Sequence, residues 1–506
     1  MIDSGRRALL AVATILATMV YAIDSTIVNV ALPNIQGTLQ ATQDQAAWIV
    51  TSYIVVSAIS TPLSGWLGTR FGLRLVLSVA IVGFTLGSVL CGIATDLTEM
   101  VVFRMIQGGF GAALVPLSQV VLLREFPREQ HGRVMALWGM GVMVGPIIGP
   151  TLGGWLTDEY SWRWAFYINL PLGVLAWLAL VSALPKGSSD GHRPFDALGF
   201  VLLSLAVGLF QFMLDRGETK DWFESGLIVA MSFGSALALY MFVVHSLTSV
   251  HPFVDVHLFK DRNFLVSVAL MFVVGMTLLA PAVLLPGFLE QIKRYTAAQA
   301  GVLLAVRGGT AIVAMMLGAR LTARVGPRFT MAVGILATAV SLALMGSFSV
   351  DTPAHVVFMV SLVAGFGGPF TFMPLSLVSL TTLPDRARTE AGVLLTLVRN
   401  IGSSVGVSIA IAMLARGTQT SRSHLVEHFT AYDIGRWIAL GGPPGADAPT
   451  AGLVGEITRQ AAGIAYSNDF YVLALCSFVV LPLVLLLRTQ HVAPPAPGAA
   501  AAAADH

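Results

Sequence analysis

Fourteen stretches of this chain are apolar enough, over enough residues, to cross a lipid bilayer, and nothing else in it limits the fold as strongly. A bilayer-crossing helix takes about 20 mostly apolar residues. Such runs lie roughly at 8–30, 46–67, 75–95, 99–123, 132–157, 165–184, 195–214, 225–246, 264–289, 297–318, 328–348, 355–381, 391–414 and 468–488. Only 11% of the 506 residues are charged, against about 25% in soluble domains, too few to cover a globule of this size. The expected class is an all-α integral membrane protein. The start, "MIDSGRRALLAVATILATMVYA", has the opening of a signal peptide. Its apolar run continues past Leu32, beyond the about 7 to 15 residues of a signal core, so it reads as a retained first span. Lys and Arg side with the cytoplasm. Seventeen of the 29 fall on the side of the N-terminus, nine fall opposite, and Arg104, Arg307 and Arg399 lie within spans. Both termini are therefore expected in the cytoplasm.

A net charge of +2 gives no support for a nucleic-acid partner. Cys91 and Cys476 both sit in apolar runs and read as core residues. No HExxH or CxxC pattern accompanies the ten histidines, so no metal is expected. There is no G-x-x-x-x-G-K-[ST] for ATP, and no cofactor is expected. A membrane enzyme or sensor would need a paired nucleophile and base, or a soluble catalytic domain, and the sequence offers neither.

The chain repeats itself. "RFGLRLVLSVAIVGFTLGSVLCG" begins at Arg70 and "RVGPRFTMAVGILATAVSLALMG" at Arg324, with Gly72 and Gly326, Arg74 and Arg328, and Gly92 and Gly346 each 254 residues apart. Both copies follow the second span of a set of six. The expected organisation is a six-helix half over 1–190, two inserted helices over 191–250, and a second six-helix half over 251–488. The second half would carry a long extracytoplasmic loop, 415–467, broken by "IALGGPPGADAPTAG" between two helical pieces. Residues 489–506 form a low-complexity tail expected to be disordered. Parallel six-span halves place a substrate site near the midplane between them.

"AIDSTIVNVALP", "GWLGTRFGLRLVL", "FRMIQGGFGAALVP", "GVMVGPIIGPTLGGW", "WRWAFYINLPLG", "LDRGETKDWF", "HPFVDVHLFKDRNF" and "GVLLTLVRNIGSSVG" occur in this order between residues 22 and 409. Together they resemble the fourteen-span drug:proton antiporters of the EmrB/QacA type in the major facilitator superfamily, on the EmrB branch. The resemblance implies the major facilitator fold, with two six-helix halves plus two inserted helices. It implies proton-coupled efflux of hydrophobic or amphipathic compounds by alternating access, in the bacterial inner membrane. It also implies a periplasmic adaptor and an outer-membrane channel as partners, with 415–467 as the place for docking. Export of a specific metabolite or organic anion on the same fold is the alternative.

Asp24 is the only one of the 27 acids placed at depth in a span. A carboxylate at a helix centre costs roughly 2.5 to 3.5 kcal/mol on insertion, and an ionisable residue within a span is a functional candidate. Burial favours the neutral acid and a nearby cation favours the carboxylate, so a group pulled both ways can change protonation as its surroundings alternate. A proton carried inward yields about 2.3 kcal/mol per 100 mV. Arg104, with Gln107 at i+3 on the same helix face, is the candidate cation for tuning Asp24; the resemblance links this position to proton transfer. Arg307 and Arg399 either line an anion-tolerant cavity or brace the fold, and Glu290 is the acid placed to answer one of them. Asn29 joins Gln107, Glu290, Arg307 and Arg399 as a candidate for cavity or coupling roles.

Gly141, Gly145, Gly149 and Gly153 recur every four residues in span 5, a stripe that admits a close helix. Pro146 and Pro150 in the same span each remove a helical bond. The resemblance makes this the antiporter motif, a seal at the interface of the halves. In the loop motif Gly65, Arg70, Gly72 and Arg74, Thr69 stands where many relatives have Asp, so a charge lock there lacks its acid. Arg70 and Arg74 are either gate residues or anchors for orientation. "WRWAFY" reads as an interfacial aromatic belt. The many Met and Phe residues in the spans are mostly core or lipid-facing, and also give the adaptable surface a promiscuous site uses.

Overall fold

The computed structural model describes residues 4–127, 130–185, 194–427 and 448–488. All regular structure among them is helical. The first set is α1 (Ser4–Thr38), α2 (Gln43–Phe71), α3 (Leu73–Ile93), α4 (Leu97–Gly111), α5 (Leu114–Glu125), α6 (His131–Glu159), α7 (Trp164–Tyr167) and α8 (Asn169–Ala183). An inserted pair follows, α9 (Ala197–Arg216) and α10 (Gly226–Thr248). The second set is α11 (Arg262–Gly287), α12 (Ala297–Val325), α13 (Pro327–Gly346), α14 (Ala354–Thr381), α15 (Asp385–Glu427), α16 (Ala448–Val480) and α17 (Leu483–Leu486). Thirteen helices among the described residues are long and apolar enough to cross a membrane, with α4 and α5 counted as one crossing. The 29-residue α6 brings the membrane-length helices to the fourteen expected.

The internal repeat is built into the backbone. Thr42 and Gln45 close a capping box at the start of α2, and Thr296 and Gln299 do the same for α12, 254 residues on. Such boxes satisfy two orphan amides at a helix start. Gly72 and Gly326 take φ of 86° and 90° at the turns into α3 and α13, a region that glycine enters without a Cβ penalty. The Arg74 guanidinium donates to Val181 O at the end of α8, and that of Arg328 to Leu487 O past the end of α16. Gly92 lies under the Tyr167 ring and Gly346 under the Tyr471 ring. In both sets the first helix packs along the fifth, α1 on α6 and α11 on α15.

Among the described residues, the two sets share a buried cluster near one end. Near the end bearing the termini, Val115, Leu122, Met135 and Trp138 of the first set share a buried cluster with Met315 and Met373 of the second. Trp138 stacks on Phe372 with centroids 6.2 Å apart, and Gly65 abuts Val393. At the opposite end the clusters separate. One holds first-set residues such as Ile27, Ile49 and Phe166, and another holds second-set residues such as Leu284, Phe288 and Phe470. Among the described residues the buried packing joins the two sets at the terminal end and stays within each set at the other. The inserted α9 lies against both sets: Asp215 accepts from the Thr51 hydroxyl of α2, and Gln211 donates to Ser404 of α15 at 2.7 Å.

Within the segment 415–467 helix is present at both ends, as continuations of α15, which runs to Glu427, and α16, which starts at Ala448. Residues 428–447 and the tail from 489 lie outside the described residues, as do the side chains of Pro146 and Pro150. One expectation changes: Asp24 is not the only buried acid in a span. Asp469, at the edge of the run 468–488, is 2% exposed and lies well inside α16, which begins at Ala448.

Candidate functional site

The Asp24 carboxylate, fully buried on α1, accepts three hydrogen bonds from two other helices. The Arg104 guanidinium of α4 donates to Oδ2 at 2.7 Å. Gln107 of α4 donates to Oδ1 at 2.8 Å and Asn169, the first residue of α8, at 2.9 Å. Arg104 is itself 1% exposed. It donates onward to Gln107 Oε1 at 2.7 Å and to Ile49 O at 3.3 Å, and lies 4.0 Å from the centroid of the Tyr53 ring. Asn169 also donates to Ser88 of α3, whose hydroxyl donates to Phe166 O, each at 2.9 Å. Cys91 Sγ donates to Gln107 Oε1 at 3.6 Å. A buried charge is tolerated only when it is paired and hydrogen-bonded, and this one is both. Three donors converge on the carboxyl group, two on Oδ1 and one, the guanidinium, on Oδ2.

The spacing of Arg104 and Gln107 on one helix face therefore carries over directly. Asn169, Ser88 and Tyr53 were not singled out in the sequence. Asn169 lies inside "WRWAFYINLPLG", whose aromatics draw attention to the membrane surface. That segment is only partly a belt: Trp164 is 49% exposed, while Trp162 and Phe166 are buried in the first-set core. Trp162 donates to Thr38 at 3.1 Å.

The other candidates lie apart from this network. Asn29 is exposed and bonds its own helix at Ser25 O. Glu290 is exposed and forms no ion pair with Arg307 or Arg399, so it does not serve as their brace. Arg307 lines a cavity of about 40 Å³ inside the second set, with Thr277, Thr338 and Ser341. Among the described residues its hydrogen bond is a long one to Leu278 O, 3.5 Å. Arg399 reaches Asn400 Oδ1 at 3.4 Å and lies 5.4 Å from the centroid of the Phe372 ring.

The glycine stripe faces a neighbour other than the one expected. A methyl at Gly141 would strike Ile15, at Gly145 the Ala22 backbone, at Gly149 the Thr26 hydroxyl, and at Gly153 Ile27. All four partners lie on α1, in the same set. The side of α6 that meets the second set carries Gly139, against Met315, and Trp138. A period of four drifts slowly around a helix of 3.6 residues per turn, so the stripe stays on α1 and never turns to the other set. In the loop motif, Thr69 bonds its own helix at Gly65 O and Trp66 O, Arg70 lies over Trp66 and Phe71, and Arg74 ties α3 to α8.

Residues 14–407 match the model of the Major Facilitator Superfamily. The chain is 36% identical over 437 residues to the multidrug export protein EmrB of Haemophilus influenzae, covering 85% of each chain. It is 33% identical over 478 residues to the fatty acid resistance protein FarB of Neisseria gonorrhoeae, covering 94% of each. It is 32% identical over 489 residues to EmrB of Escherichia coli K12, covering 96% of each. Its fold is similar to that of the human organic anion transporter MFSD10, with a TM-score of 0.59 at 14% identity, covering 93% of this chain and 99% of that one. The chain belongs to the major facilitator superfamily, in the family of the EmrB export proteins.

Proposed function

We propose that this protein exports hydrophobic or amphipathic compounds, drugs among them, across the bacterial inner membrane in exchange for protons, with both termini in the cytoplasm. The observation that carries this is the Asp24 site, a buried acid held by three donors inside the first set. Residues 1–190 and 251–488 act as two bodies that rock about a central cleft, with 191–250 riding on both. The present state is sealed toward the cytoplasm, with Asp24 paired to Arg104. Protonation from the outside weakens its hold on Arg104, and the freed network lets α1 and α4 shift as the seal opens. A proton that binds one state better than the other moves the equilibrium between them by that difference. The relatives named for multidrug export support this reading. The ends of α15 and α16 are the surface offered to a periplasmic adaptor feeding an outer-membrane channel.

The test is dye efflux from proteoliposomes bearing an imposed proton gradient. The native chain should pump and should stop when an uncoupler is added. Asp24→Asn should bind dye and equilibrate it, with uphill export lost. Uphill pumping by Asp24→Asn at the native rate sinks the assignment, since it would mean that the acid stays locked in its ion pair throughout the cycle.

A second reading, export of an organic anion, is favoured by Arg399, which pairs with no carboxylate among the described residues. In the same assay an amphipathic carboxylate would then outcompete the matching amine, and Arg399→Gln would erase that preference.

A further inference from the structure

Asp469 is buried, yet neither carboxylate oxygen has a hydrogen-bond partner among the described residues. It lies on the wall of a cavity of about 350 Å³, with Trp222, Met413, Arg416, Thr420 and Asn468. This volume is within the range of small-molecule sites, about 300 to 1,000 Å³. The cavity stands at the end away from the termini. It is an open cavity between α15, α16 and the short connection between α9 and α10, and it shares no lining residue with the Asp24 network. Trp222 presents an aromatic wall, and its indole N–H donates to Glu218 at 2.9 Å, which fixes the ring. Ile409, Ala412 and Met413 supply an apolar flank.

We infer that this cavity binds an organic monocation with an apolar body, its charge against Asp469 and its body against Trp222 and Met413. An ionised carboxylate out of water and without a partner is among the costliest of buried groups. A cation entering beside it supplies the missing counter-charge, and an aromatic face adds attraction of its own. Arg416 lines the same cavity, but it is exposed and makes no ion pair with Asp469. A guanidinium in water is screened, while a buried carboxylate acts through a lower dielectric, so Asp469 sets the sign of the site. The inference goes beyond the export reading and does not need it, because a chain that pumps nothing would still bind the cation here.

Exposed Thr420 gives a local readout. In the full chain with Cys476→Ser, buried Cys91 left in place and Thr420→Cys added, maleimide labelling is timed with and without tetraphenylphosphonium, and with uncharged triphenylphosphine oxide as control. Saturating tetraphenylphosphonium should slow labelling at least about fivefold and the oxide should not. Asp469→Asn should raise the concentration needed for protection about tenfold, the worth of a hydrogen bond or contact to a charged group. Asp469→Glu should keep protection, and Asp24→Asn should leave it untouched, which separates this site from the export site. Unchanged labelling under the cation, equal protection by the oxide, or full protection in Asp469→Asn each overturns the proposal. Should the amide variant fail to purify, the contrast between cation and oxide in the parent still decides.

Discussion

The two sets of helices share a framework and differ in what they bury. Positions 254 residues apart hold the same capping boxes, the same positive-φ glycines and the same arginine ties to the closing helix of each set. At the chemically active positions the correspondence stops. The counterpart of Asp24 is Leu278, and that of Arg104 is Phe358. Tyr53, over which Arg104 lies, corresponds to Arg307, and Gly145 to Arg399. The first set thus buries an acid with its cation and a full set of donors, whereas in the second Arg307 and Arg399 pair with no carboxylate among the described residues and the buried acid, Asp469, stands apart from them. Repeating a packing scheme requires only shape and apolar surface. A coupling site requires particular atoms, and one set has them. The asymmetry is what an exchanger needs: one body that senses protons and another free to face substrate.

The largest effect expected from breaking this comparison is at the buried pair. Removing one member of a buried ion pair costs about 3–5 kcal/mol, because the other charge is left without a partner. Arg104→Ala and Asp24→Asn should each lower the thermal midpoint of the purified protein, Arg104→Ala the more. The double variant Asp24→Asn/Arg104→Gln should recover part of the loss, with a coupling of about 0.5–3 kcal/mol. Arg307→Gln and Arg399→Gln should cost little or stabilise, as neither leaves a charged partner behind. Strictly additive losses at Asp24 and Arg104, or losses of equal size at Arg307 and Arg399, would dissolve the distinction between the sets.

Much of this was legible before the fold was known. Long apolar runs report helices that lipid must surround, so the crossings and the repeat could be read off directly. Asp24 stood out because one acid in a long run has no trivial explanation, and Gln107 followed from helical spacing with Arg104. Asn169 did not stand out, because its neighbours are aromatic and its partner lies 145 residues away. Such a meeting depends on how α8 docks on α1, which local sequence does not encode. Asp469 escaped because hydropathy measures lipid contact, and Ser467 and Asn468 beside it depress the average where the helix is already formed. The glycine period was legible but its neighbour was not, since a stripe says that something comes close and not which helix it is.

Packing along α1 and α6 gives the next effect in size. Gly145→Ala drives a methyl into the Ala22 backbone, and overpacking of this kind costs about 1–3 kcal/mol. Gly309 on α12 has nothing within 4 Å of where its Cβ would stand, so Gly309→Ala should gain up to about 1 kcal/mol from helix propensity. Opposite signs in thermal unfolding would show that the stripe, and not glycine as such, holds α1. Equal shifts would mean that α1 can move aside.

The smallest effect lies outside the membrane, where the inserted pair is tied down. Asp196 caps α9 and accepts at 2.9 Å from Gly199 N, His245 Nε2 of α10 and Phe253 N before α11. Burial alone would raise this carboxyl, but the bonds from Gly199, His245 and Phe253 outweigh it and hold it below its usual value. A carboxyl lowered by folding contributes stability that is fully present above the unfolded value, about pH 3.9, and is lost as pH falls through the lower folded one. Asp196→Asn should therefore cost about 1 kcal/mol at neutral pH, as the loss of a cap does, and the gap to the native protein should close in acid. Because the tie joins α9, α10 and the approach to the second set, the loss should show as faster proteolysis between 194 and 262 before any change in the unfolding of the two sets. If the gap persists unchanged at pH 3, the carboxylate contributes shape and not charge, and the inserted pair is held by its contacts with α2 and α15 alone.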